Sequence, residues 1–141
     1  IYDNDRKKIK HIGSKKFGIQ YLLNGIYTYD NLMYLHTQVR NKSHIPYAVD
    51  FIRMKIVDKK VAKRTAMQET LVVPVRAYNY ITTINGNKTE STVFAIDKIT
   101  IPDGKHLIVE MYEQNGGRHQ SFIIENSDLV RAECINELKV K

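Results

Sequence analysis

Cysteine is nearly absent from this chain. One residue, Cys134, among 141 excludes an intramolecular disulfide framework and a multi-cysteine zinc site. Tryptophan is missing altogether. No apolar run approaches the roughly 18 residues that a transmembrane helix needs. No segment carries the sustained 3.6-residue period of a long amphipathic helix, which removes most α/β enzyme folds. There is no internal repeat and no low-complexity tract. With 43% hydrophobic and 26% charged residues the chain is not disordered. A chain of this length makes one domain and buries roughly two thirds of its unfolded surface, so its core needs no staple.

The usual catalytic and metal motifs are missing too. His11, His36, His44, His106 and His119 are dispersed, without an H-x-H or H-E-x-x-H spacing. They read as solvated surface histidines, and strand parity puts His36 on an outward face. There is no G-x-S-x-G elbow and no phosphate loop. Glu110 and Glu113 flank Tyr112 and read as the solvated face of a strand. The sequence therefore offers no catalytic residue, no metal ligand set and no cofactor motif.

What the chain does have is alternation with a period of two. Phe17, Ile19, Tyr21 and Leu23 share a face, and Gly25 with the out-of-phase Ile26 marks a bulge. Asp30-Asn31 is a tight-turn signal. Met33, Leu35, Thr37 and Val39 then alternate with Tyr34, His36, Gln38 and Arg40. Pro46 opens the next strand. There Val49 and Phe51 lie on one face but Ile52, Met54 and Ile56 on the other, so the strand bulges or changes sheet. Leu71, Val73, Val75 and Ala77 alternate around Pro74, which fits an edge strand. Asn85-Gly86, Pro102-Asp103-Gly104 and Asn115-Gly116-Gly117 are turn chemistry. Thr92 to Ile96, Leu107 to Met111 and Phe122 to Ile124 are further strands, and a helical turn is expected after Asn126 or Ser127.

The expected fold is all-β, an immunoglobulin-like antiparallel β-sandwich of seven to eight strands with a short polar N-terminal extension. Residues 1–16 read as a linker or the end of an upstream segment, 17–132 as the sandwich and 133–141 as a tail. The chain opens at Ile1 and reads as a piece of a longer protein.

Lys and Arg total 22 against 15 Asp and Glu, a net charge of +7 that suits polyanionic or acidic partners. Lys59, Lys60, Lys63 and Arg64, with Gln68 and Glu69 beyond them, form a polar segment of poor alternation. It is the candidate surface for a protein partner or a polyanion. Tyr78 and Tyr80 are candidate edge-strand contacts, because tyrosine offers apolar area with a polar tip. Either feature is also ordinary on a solvated strand edge, where lysine guards against aggregation.

Several blocks occur together and in order. They are Asn41-Lys42-Ser43-His44-Ile45-Pro46-Tyr47-Ala48-Val49-Asp50, then the stretch from Asp58 to Glu69, Phe94 to Lys105, Glu110 to His119, and Leu129-Val130-Arg131-Ala132. In these blocks the chain resembles the TraN family of Bacteroides-type conjugative transposons, over roughly Phe17 to Ala132. Ala48 stands where that pattern leads one to expect an acidic residue. The resemblance implies a non-enzymatic structural subunit of a DNA-transfer apparatus of the type IV secretion kind, with this stretch as the C-terminal sandwich. It implies other conjugation proteins as partners, among them a small lipoprotein and neighbouring copies, and a place in the cell envelope, periplasmic or outer-membrane associated. Two other classes stay open from the residues: a basic DNA-binding module and a hydrolase with an unrecognised site.

Charge reversal at Lys63 and Arg64 is expected to reduce co-purification with other transfer components while folding stays intact. Recovery of the complex at the wild-type level would remove that surface from consideration.

Overall fold

The computed structural model describes residues 12–59 and 69–134. Their elements, in chain order, are β1 (Gly13–Lys16), β2 (Ile19–Tyr29), β3 (Leu32–Asn41), β4 (Tyr47–Asp58), β5 (Glu69–Val72), β6 (Arg76–Tyr78), β7 (Thr83–Ile84), β8 (Thr89–Asp97), β9 (Lys105–Glu113), β10 (Gln120–Ile124), α1 (Asn126–Leu129) and β11 (Glu133–Cys134). One sheet runs β1-β2-β3-β8-β6, with β11 added to β2. The other runs β10-β9-β4-β5, with β7 added to β4. All pairings are antiparallel except the two-residue bridge of β11 to β2. The two sheets pack as a sandwich. Tyr21, Leu23, Leu35, Phe94 and Ile96 of the first meet Tyr47, Met54, Leu107, Val109 and Met111 of the second in one core.

Local chemistry explains the joints. Asp30 and Asn31 take φ of 50° and 68°, the two left-handed positions of a two-residue hairpin turn, and join β2 to β3. The Leu23/Gly25 register shift in β2 makes Asn24 the inserted residue. It moves the inward set from Ile19, Tyr21 and Leu23 to Ile26. β4 does the same at Asp50, between Val49 and Phe51. Tyr47 and Val49 face the core before the shift, and Ile52, Met54 and Ile56 after it. Of the two explanations the sequence allowed for this phase switch, the bulge is the one found. Gly104, at φ 79°, sits in the turn that Lys105 N–H closes onto Pro102 O at 3.1 Å.

Several expectations need correction. The described residues hold eleven strands where seven or eight were expected, the surplus being fragments of two to four residues. Phe17 is not the first residue of a strand. It lies in a turn at φ 56° and is 62% exposed. Gly13–Lys16, read as the close of a polar linker, is an edge strand on β2, and Ile12 before it is buried. Glu133–Cys134, read as tail, pairs with Tyr27–Thr28 of β2. The alternating run around Pro74 is not one strand. β5 pairs with β4 in one sheet and β6 with β8 in the other, and residues 73–75 cross between them.

The two long sides of the sandwich close differently. On one side the edges β1 and β10 are tied by side chains: Ser14 Oγ donates to Gln120 Oε1 at 2.6 Å, and Gln120 Nε2 donates to Lys16 O at 3.1 Å. On the other side the chain itself makes the connection, through residues 73–75.

Leu35 is fully buried in the core, so Leu35→Ala is expected to destabilise the fold by about 2–5 kcal/mol. Leu71→Ala, at a site 62% exposed, is expected to cost about 0.5 kcal/mol or less. Urea denaturation of the two variants checks the contrast.

Candidate interaction surface

The candidate surface is built where β5 ends and β6 begins. Leu71, Val73 and Val75 are 62%, 75% and 57% exposed, and Tyr78 and Tyr80 follow, also exposed. Five of the eleven large apolar side chains exposed among the described residues thus fall in one ten-residue stretch. The residues between point the other way: Val72 and Ala77 pack against the core. Among the described residues β5 and β6 are each the outermost strand of their sheet, so this ribbon runs along one side of the sandwich.

The two tyrosines do different things there. Tyr78 lies in β6, with the Arg76 guanidinium 5.9 Å from its ring centroid. Tyr80 reaches across to the other sheet, where its hydroxyl accepts Ile52 N–H at 3.2 Å and its ring meets Phe94 edge-on at 6.2 Å. Beyond it Val49 N–H donates to Thr82 O at 2.9 Å, so this segment covers β4 between β5 and β7.

The polar candidates are dispersed. Glu69 opens β5 and its Oε2 lies 2.5 Å from Lys55 Nζ; that hydrogen bond raises the pKa of Lys55. Lys59 follows β4 and lies 3.4 Å from Glu125 Oε1, beside a depression of about 250 Å³ under Pro102 and Gly104. Glu69 and Lys59 are therefore tied to different partners. Lys60, Lys63, Arg64 and Gln68 lie outside the described residues.

The outer face of the second sheet holds a cluster that pattern reading missed. Phe51 stacks on Tyr112 with centroids 4.6 Å apart, and Tyr112 meets His119 at 4.7 Å. The Arg53 guanidinium lies 5.4 Å from both the Phe51 and the Tyr112 centroids and donates to Glu110 Oε1 and Tyr112 Oη. Lys55 Nζ is 3.5 Å from the same Glu110 oxygen. Glu110 is thus no solvated strand residue but the shared acceptor of two cations. His36 is a second correction. It does face outward by parity, yet it is 0% exposed. The register sets it opposite Gly25, and the Tyr27 ring lies about 3.0 Å from where a Cβ on Gly25 would be, folded back over this part of the sheet.

Arg118 ties two loops together. Its Nε donates to both oxygens of Glu113 at 3.1 Å, and its Nη2 donates to Oε2 at 2.7 Å. Nη1 donates to Ser43 Oγ, Nη2 to Pro46 O, and the guanidinium sits 5.3 Å from the Tyr47 centroid. The clasp holds the turn after β9 against the loop between β3 and β4. From inside that loop Asn41 donates to Ile45 O and Ile84 O and accepts from Ser43. Every donor here has a partner in the fold, so the clasp positions loops. An open groove of about 560 Å³ lies at the end of the sandwich where Met33, Ile99 and Leu129 meet. Among the described residues no three His, Cys, Asp or Glu side chains come together as metal ligands, and no helix is long and apolar enough to cross a membrane.

With this geometry in view the chain can be placed among known sequences. Residues 1–134 match the model of a domain of unknown function, DUF4138. The chain belongs to that family. No curated protein matches it.

The Glu113–Arg118 pair makes a pH prediction. Arg118 hydrogen bonds hold the Glu113 carboxyl below its ordinary range. A depressed folded-state pKa stabilises the fold above the ordinary carboxylate value of about 4.3 and loses that contribution as the pH falls through the lower value. At neutral pH Arg118→Ala is expected to cost about 3 kcal/mol, since it leaves a largely buried carboxylate unpaired. Glu113→Gln is expected to be less stable than wild type at neutral pH, with the gap closing on acidification. Urea melts across the pH series check this, and a gap independent of pH would refute it.

Proposed function

We propose that this chain is a non-enzymatic structural subunit of a conjugative DNA-transfer apparatus of the type IV secretion kind, acting through protein–protein contacts in the cell envelope. The observation that carries it is the exposed apolar ribbon from Leu71 to Tyr80 along one side of the sandwich. A soluble domain normally covers such a stretch, and an uncovered one marks an interaction site. The transfer context comes from the sequence blocks between Asn41 and Ala132 that resemble TraN, including the C-terminal position of the sandwich and a small lipoprotein among its partners.

The test is crosslinking of the full-length protein in cells that carry the whole transfer operon, followed by identification of what is joined to it. Other transfer components are the expected products. Recovery of the protein free of all of them, with unchanged transfer after its deletion, would overturn the proposal.

A further inference from the structure

The ribbon from Glu69 to Arg76 is complementary to itself. Its outward residues are Leu71, Val73 and Val75, spaced evenly about Val73. An acid, Glu69, stands at one end and a base, Arg76, at the other. Two such ribbons laid antiparallel about a two-fold axis at Val73 set Val73 against its own counterpart and Leu71 against Val75. They also set Glu69 of each copy opposite Ala77 of the other, one position from Arg76. A two-fold contact requires this kind of self-complementarity. A parallel arrangement would instead put Glu69 on Glu69 and Arg76 on Arg76.

The surroundings agree with a closed pair. The Arg76 guanidinium is in no ion pair among the described residues. Glu69 uses Oε2 for Lys55, and its side chain remains partly exposed. Among the described residues neither β5 nor β6 has a further strand beyond it in its own sheet. Pro74 has no N–H, and Val75 N–H already donates to Ala95 O at 2.8 Å. Two donors in the middle of the ribbon are thus missing for a new backbone ladder, which blocks open-ended strand addition. Side chains, which can close a pair, are left to make the contact.

We infer that this ribbon is the interface between two copies of the chain, joined antiparallel about Val73. The inference rests on reading the ribbon as a contact surface, though not on the transfer machinery. Sedimentation velocity of the purified chain over a wide concentration range tests it. The wild-type protein is expected to move from monomer to dimer, and Val73→Asp to stay monomeric with an unchanged far-UV spectrum. Arg76→Glu alone and Glu69→Arg alone each set like charges together and are expected to be monomeric. An equimolar mixture of these two variants restores both charge pairs and is expected to dimerise. Wild-type protein that stays monomeric throughout, or a mixture no more associated than its components, overturns the inference. Either result leaves the crosslinking test in cells to judge the transfer reading by itself.

Discussion

Two sheets can share one core only if every strand that lines it keeps its apolar side chains toward the middle. β2 and β4, at eleven and twelve residues, are the longest strands, and neither could do so as a regular strand. Were Asp50 a regular strand residue rather than an inserted one, the parity set by Tyr47 and Val49 would carry Phe51, Arg53 and Lys55 into the core. With it inserted, Ile52, Met54 and Ile56 go in, and the arginine and lysine meet Glu110 outside. One extra residue therefore creates both the second half of the core and the charged cluster on its back. Asn24 has the same effect in β2.

The two sides of the sandwich then follow from how the chain passes between sheets. A crossing that costs only three residues, at Val73-Pro74-Val75, leaves no length with which to cover the edges it joins. The apolar side chains of the crossing stay outside. At the opposite side β10 leads through α1 to β11 beside β2, and Ser14 and Gln120 bridge the edges β1 and β10.

Much of this was legible in the residues. Asp30-Asn31 declared its turn, the slipped phase at Gly25 declared one bulge, and the one after Val49 declared either a bulge or a change of sheet. Pro74 declared an edge. Periodicity could not show that Pro74 divides one alternating run between two sheets, because a crossing and a strand edge have the same local pattern. It could not show that His36 is covered, because parity fixes the face on which a side chain lies and not what folds over it. Of the candidate surface, Tyr78 and Tyr80 were visible as edge tyrosines. Leu71, Val73 and Val75 read only as one face of an alternating edge strand, since alternation does not say which of two faces is wet. Glu110, Arg53 and Lys55 meet only through the pairing of β4 with β9, and Arg118 with Ser43 lies seventy-five positions apart in sequence.

The bridge between Ser14 and Gln120 has a consequence for how the protein is made. The partners are 106 positions apart. At ribosomal speed that separation takes about 5–20 s to synthesise. During that interval β1 can pair with β2 but has no tie to the second sheet, and the first hairpins leave the ribosome with one margin unsealed. Folding that depends on so distant a pairing is slow by topology. The nascent chain is therefore most vulnerable to misassembly early in translation, well before its last third has emerged.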